Sequence, residues 1–312
     1  MMKKITMASI SFLCAAAIML PDHSISISTA AARTNSETHV IINNQDLAPQ
    51  DVLIKNNQIF ISFTEAKALD NITFQWNHAA KQVTAKGKDT RLLLTINKTT
   101  ALKNGKAVKL NTAPFIYDGK TMIPLRFVTE TMGGSVTWNP STQTAFITKA
   151  SSYLISDLTS DELSVARNAA INLPRVSLLP KINTPTYETS SIQYYFPKKV
   201  HDQFFEKNNN AISYFEVSDD IAYLKWQGLI TNTASTQKQL YFIYGTITNE
   251  IGTRPSVKDS TFAAFRWMPH IGSTGYSLIH KDNWNDVVYK ETEVNQNNAK
   301  PNYIIVQIPE EE

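Results

Sequence analysis

The chain has 312 residues, with 30 Lys and Arg against 27 Asp and Glu, a formal charge of +3, and one cysteine. That balance excludes the concentrated basic face a nucleic-acid binder needs, and a lone Cys14 excludes a disulfide framework or a multi-thiolate metal site. With only 10 Gly, loops that wrap phosphates are disfavoured as well.

Lys3 and Lys4 precede an uncharged apolar run from Ile5 to Leu20; Pro21 and Asp22 end it, and a Ser-rich stretch leads to Ala30-Ala31-Ala32. A cationic start, an apolar segment and small residues at the cut make up a cleavable secretory signal over residues 1–32. The run is about 16 residues, short of the roughly 20 that span a bilayer, and a retained anchor is the secondary reading. Cleavage would remove Cys14, Lys3, Lys4 and Asp22, leaving 28 basic against 26 acidic residues. The expected location is therefore secreted or cell-envelope associated, with no membrane span after processing.

Residues 39–149 contain an internal duplication. The run Trp76-Asn77-His78-Ala79-Ala80-Lys81-Gln82-Val83-Thr84-Ala85 returns 62 residues later as Trp138 to Ile147, and Ile61, Phe63, Ala66 and Phe74 match Ile123, Leu125, Val128 and Val136. Each unit reads as turn, strand, short helix, strand, turn, strand. Ser62 and Glu65 have capping-box spacing at the first helix, and Pro124 suits the first turn of the second. Asn71 and Gly133 stand where each helix should stop, being residue types that enter the left-handed conformation. Leu125, Val128 and Met132 give the second helix one buried face. Between the units, Arg91–Ile96 and Thr99–Lys103 read as strands, and Asn104-Gly105 predicts a hairpin to Lys106–Leu110. Arg126 and Glu130 form an i, i+4 pair in the weaker orientation and read as structural. Trp76 and Trp138 end equivalent strands and read as core.

The run Asn104-Gly105-Lys106, Ala113-Pro114-Phe115-Ile116, Asp118-Gly119-Lys120-Thr121-Met122-Ile123-Pro124-Leu125-Arg126-Phe127-Val128, Glu130, Gly133 and Val136-Thr137-Trp138-Asn139 resembles the copper amine oxidase N-terminal domain family. These stalk domains are common in exported proteins of Gram-positive bacteria. The resemblance implies a small antiparallel sheet wrapped around short helices. It implies no amine oxidase activity, because that chemistry resides in a separate domain with a tyrosine-derived cofactor and histidine-held copper. The histidines after the signal (His39, His78, His201, His270, His280) are scattered, so no copper cluster is expected.

Beyond a polar stretch at Lys149–Leu158, Thr159 and Glu162 have capping-box spacing, and Leu163, Ala166, Ala170 and Leu173 keep one face of a helix that Pro174 ends. Residues 174–190 read as an irregular connection. Strands are then predicted at Ser191–Phe196, Ala211–Val217, Ile221–Gly228, Gln239–Thr248, Phe262–Met268, Gly275–His280 and Tyr303–Ile308, with Ser218-Asp219-Asp220 as a hairpin turn. The fold class is α+β: the duplicated module, then a β-rich domain over 159–312 of one helix plus an antiparallel sheet or open barrel. This second region resembles no recognised family.

His201, Asp202 and Glu206 could imitate a base with carboxylate partners, and Arg254, Arg266 and His270 form a second polar cluster; no hydrolase or phosphate-loop motif accompanies them. Glu216, Asp219 and Asp220 read as turn and solvation residues. Among the aromatics, Tyr194, Tyr195 and Tyr276 read as sheet core, while Trp226 and Trp267 are secondary ligand contacts. Trp284, set among charges and amides, is the first candidate contact. No catalytic, cofactor or metal residue is assigned. The expectation is an exported, non-catalytic cell-envelope binding or scaffold protein, with a cell-wall polymer or envelope protein as partner and no nucleic acid. The alternative is a secreted hydrolase or enzyme accessory with its site in the C-terminal domain.

Overall fold

The structure, a computed structural model, describes residues 38–182, 192–231, 239–257, 261–269, 271–280, 290–293 and 303–311. The first unit contains β1 (His39–Ile42), β2 (Gln45–Asp46), β3 (Val52–Lys55), β4 (Gln58–Ser62), a 3-10 turn at Glu65–Ala68, β5 (Thr73–Asn77) and β6 (Gln82–Lys86). A connecting strand β7 (Arg91–Thr95) leads to β8 (Thr100–Lys103), β9 (Lys106–Lys109), β10 (Phe115–Tyr117), β11 (Lys120–Pro124), α1 (Leu125–Thr131), β12 (Ser135–Asn139) and β13 (Thr144–Thr148).

Adding 62 to the bounds of β4, β5 and β6 gives those of β11, β12 and β13 residue for residue. The left-handed positions recur in the same way. Asn56 and Asn57 match Asp118 and Gly119, Asn71 matches Gly133, and Lys81 matches Gln143, all at positive φ. Backbone demand at turns therefore fixes the period more strongly than side-chain identity does. The repeat also reaches further than predicted. The β1–β2 hairpin turns at Asn43-Asn44 and the β8–β9 hairpin at Asn104-Gly105, one residue short of the 62-residue period, and all four residues are left-handed, as a two-residue type I′ turn requires.

The units join through a sheet of order β10-β11-β4-β3. Its central pairing sets Met122 opposite Ser62, Ile123 opposite Ile61 and Pro124 opposite Phe60. Ile61 and Ile123 are themselves equivalent, so a local pseudo-two-fold axis passes between them. Flanking this sheet are β5-β6-β7-β8-β9 and β12-β13-β1-β2, in which β1 runs parallel to β13. Ile61, Ile123, Val83, Leu92, Leu94, Leu125, Val128 and Ile147 form the shared core.

Helix ends differ from expectation in the first unit. Ser62 accepts from the Thr64 amide rather than closing a capping box with Glu65, and only a 3-10 turn forms. In the second unit α1 ends as a Schellman motif: Gly133 N–H donates to Glu130 C=O and Gly134 N–H to Thr129 C=O. The predicted Thr159–Glu162 box does not form either; Ser160 Oγ accepts from the Glu162 amide instead.

The remainder opens with α2 (Ser152–Leu158), α3 (Leu163–Asn172) and β14 (Arg175–Ser177). The helix α2 was read only as a polar stretch. Ser151 caps it by accepting from the Leu154 amide, and Leu154 is its buried anchor. Then come β15 (Ile192–Pro197), β16 (Gln203–Asn208), β17 (Ala211–Ser218), β18 (Ile221–Thr231), β19 (Thr246–Gly252), β20 (Thr261–Met268), β21 (Ser273–His280) and β22 (Lys290–Glu293). They form one sheet of order β14-β18-β17-β16-β15-β20-β21-β22, with β19 also on β18. Neighbours are antiparallel except β14, which is parallel to β18. The predicted Asp219-Asp220 hairpin is present, with both residues left-handed.

Both faces of this sheet are covered. On one, α2, α3 and the extended segment around Ile304–Ile308 pack on Tyr194, Phe196, Phe204, Phe215 and Phe265. On the other, Leu240, Phe242 and Ile243 cover Tyr195, Phe205, Tyr214, Trp226 and Phe262. Two predicted strands are thus corrected: Gln239–Gly245 is a cap on the sheet, and Tyr303–Ile308 is a buried non-strand segment.

The module and the sheet meet directly. Phe146, Val176 and Ile221 share a small cluster with Ile41 and Tyr223. Two turn asparagines clasp the linker: Asn44 accepts from Arg175 N–H and donates to Leu173 C=O, while Asn139 donates to Ser177 and Leu179 C=O.

Candidate functional site

An open groove of about 600 Å3 runs across the module where the second unit meets the first. Pro124, Leu125, Arg126, Phe127 and Glu130, at the start of α1, form one side, and Val136 and Trp138 of β12 the floor. Ile54 on β3, with Asn57, Gln58 and Ile59, forms the opposite lip. Trp138, on the same strand face as Val136, is nevertheless 38 % exposed, and Ile54 is 55 % exposed. This corrects the expectation of a core role for Trp138; its counterpart Trp76 does pack, against Phe63 and the core.

Polar groups are spaced around this apolar patch. Arg126 donates to Glu130 across 3.1 Å in the exposed i, i+4 pair expected from the sequence, and Lys109 adds one further cation to the lining. Amides of Asn57, Gln58, Asn111 and Gln143 line the walls. The Gln58 carbonyl oxygen is buried with no hydrogen-bond partner, an acceptor at the groove that lacks a donor.

Residues 41–147 and again 109–175 match the copper amine oxidase N-terminal domain. The match covers the N-terminal part of the chain and stops at residue 175. The two matches overlap, as suits a domain made of two related units. In this copper amine oxidase N-terminal domain the Pro-Leu-Arg-Phe block builds the groove wall and the Trp-Asn pair divides its labour: Trp138 lines the groove, and Asn139 clasps the linker. No curated protein matches the chain.

The residues singled out in the C-terminal region do not converge. Trp226 is wholly buried, donates through Nε1–H to Glu250 at 2.9 Å, and lies under the Arg254 guanidinium. It cannot face an external ligand, which removes it as a contact. Trp267 is half-buried against the helix-side core. Trp284 and His270 lie outside the described residues. Tyr194, Tyr195 and Tyr276 are buried in the sheet as expected.

Glu206 faces Arg175, not His201, with hydrogen bonds of 2.6 and 3.1 Å. Burial opposes the Arg175 charge, and Glu206 outweighs it, so the guanidinium is held firmly protonated. Asp202 is exposed, and its backbone carbonyl accepts from Val217. Arg254 is engaged by Glu250 and Gln239, whereas Arg266 lines a separate shallow pocket. Among the described residues no group of three or more His, Cys, Asp or Glu is placed to hold a metal, and no helix is long and apolar enough to cross a membrane. Sequence reasoning looked for aromatics in polar runs and so missed the groove. The duplication pointed the other way, because the equivalent Trp76 packs on the core.

Proposed function

We propose that this chain is an extracytoplasmic binding protein of the cell envelope, and that the groove of its N-terminal module holds a glycan segment of a cell-wall polymer. The observation that carries the reading is the exposed Trp138 indole beside Phe127 and Ile54, ringed by amide side chains and an ion pair. A sugar ring offers an apolar face for the indole and hydroxyls for the amides of Asn57, Asn111 and Gln143. Grooves of 300–1,000 Å3 with a largely apolar lining and few placed polar groups are of the usual size for such ligands. The signal-like N-terminus and the family support the location; the clasp at Asn44 and Asn139 supports a scaffold that presents the groove at a fixed angle to the sheet.

The test is retention on purified, protein-free cell walls. Removing a central aromatic anchor costs about 2 kcal/mol or more, roughly thirtyfold in affinity, so W138A should elute where the wild type is retained. Retention equal to a control protein, or a W138A variant that binds as tightly as wild type, would overturn the proposal.

A further inference from the structure

On the cap-side face of the C-terminal sheet, two cations stand in one cross-strand row, neither ion-paired among the described residues. The row runs Ile212, Lys207, Gln193, Arg266, Gly275 across β17, β16, β15, β20 and β21. Strands lie about 4.8 Å apart, so Lys207 and Arg266 flank Gln193 with backbones about 10 Å from each other. Every other well-placed arginine of this region is answered: Arg167 by Glu311, Arg175 by Glu206 and Arg254 by Glu250. Among the described residues, neither Lys207 nor Arg266 forms an ion pair. Of the acids on this face, Glu216 lies opposite Gln203 beside Lys225 and Glu250 bonds Trp226, while the row itself ends at Glu291, opposite Gly275.

Beside Arg266 the surface dips into a pocket of about 160 Å3 lined by Gln193, Tyr195, Gly275 and Ser277. Tyr195 O–H donates to the Gln193 carbonyl oxygen, which leaves the Gln193 amide N–H groups to serve as donors. Burial first, and then the neighbouring Arg266 charge, push Lys207 below its ordinary value.

We infer that Arg266, Lys207 and the Gln193 amide form a binding site for a small oxyanion of the phosphoryl type. A planar guanidinium takes two oxygens side by side, and an ammonium acts as a point charge from any direction. Donors converging from both sides of Gln193 suit the three free oxygens of a phosphoryl group better than the two of a carboxylate. The site is independent of the module groove.

Titration calorimetry of the purified chain at low ionic strength tests this with inorganic phosphate and with acetate. Phosphate should saturate at one site, and R266Q or K207Q should each weaken it about tenfold, the worth of a hydrogen bond to a charged group. The double variant should abolish it, K103Q in the module should change nothing, and R266K, which keeps the charge but loses the two-oxygen contact, should fall between wild type and R266Q. Thermal melts of each variant separate lost binding from lost folding. The edge strand places Glu291 opposite Gly275, so E291Q is included: unchanged affinity supports the site, and a rise of fivefold or more would show Arg266 already answered and overturn it. An equal, non-saturating response in wild type and double variant would mean an adventitious ion only. Acetate binding as tight as phosphate would overturn the phosphoryl assignment.

Discussion

Glu311 reaches back into the core to meet Arg167, and its removal should be the most damaging single polar change in the chain. Both side chains are 2 % exposed. The two hydrogen bonds between them are each 2.6 Å; Arg167 also donates to Val200 and Pro197 C=O, and Glu311 accepts from Lys199 N–H at 2.7 Å. The guanidinium further lies against the Phe196 and Phe265 rings. In E311A this charge remains buried with only carbonyls to face. Breaking one side of a buried pair costs about 3–5 kcal/mol. At about 2–4 °C per kcal/mol for a unit of this size, the melting temperature should fall by roughly 6–20 °C. Differential scanning fluorimetry reads this directly, with R126A at the exposed Arg126–Glu130 pair as the reference, where the change should stay near 0–1 kcal/mol. The double variant R167M/E311L should recover part of the loss, because an apolar pair carries no desolvation penalty; the carbonyls of Val200 and Pro197 limit the recovery. An E311A melt within 2 °C of wild type would refute the argument that this pair is dry and coupled.

Three further outcomes follow from the same geometry. Gly252 has φ +76, and a Cβ there would lie 2.1 Å from the Lys225 carbonyl oxygen; G252A should displace β19 from β18 and lower stability by more than about 3 kcal/mol, read by urea unfolding, since overpacking against backbone has little slack. Glu250 is held below its ordinary value by hydrogen bonding to Arg254 and, with burial opposing, to Trp226. A depressed carboxylate contributes stability above the ordinary carboxylate range and loses it as pH falls through the lowered value. The gap in melting temperature between wild type and E250Q should therefore be widest near neutral pH and close in acid, with Trp226 fluorescence reporting the same transition. A gap independent of pH would refute it. Finally, N139A removes both bonds to the linker carbonyls of Ser177 and Leu179 and should increase proteolytic cleavage near residue 180 while leaving the β-sheet circular dichroism unchanged.

The module was legible because its information is local. Left-handed turns at 62-residue spacing must be filled by Asn, Asp or Gly, or by residues that tolerate strain, and those are visible in the string. The C-terminal sheet was half-legible for the opposite reason. Buried on both faces, its strands lack alternation: Phe204 and Phe205 point to opposite cores, so Gln203–Asn208 gave no period and went unread. Residues 240–243 have strand composition, yet they serve as a lid on Phe205 and Phe262. Trp226 seemed a plausible contact until that lid covered it. The groove was invisible for a related reason: exposure of Trp138 depends on strands far away in sequence that leave its outer face bare. Glu206 found its partner in Arg175, 31 residues earlier, which no spacing rule would suggest.

The pairing of Ile61 with Ile123 has a consequence for how such a module can arise. Each unit offers the other the same edge in the same register, so the contact is self-complementary, the kind a symmetric homodimer makes. A polypeptide holding one unit could build this central sheet from two copies, and joining them end to end would preserve every hydrogen bond at the axis. Once joined, the halves are free to diverge, because each position now meets a different residue rather than itself. The groove lies where they have done so: Leu125 to Glu130 became an α-helix, while the equivalent stretch of the first unit stayed a tighter turn.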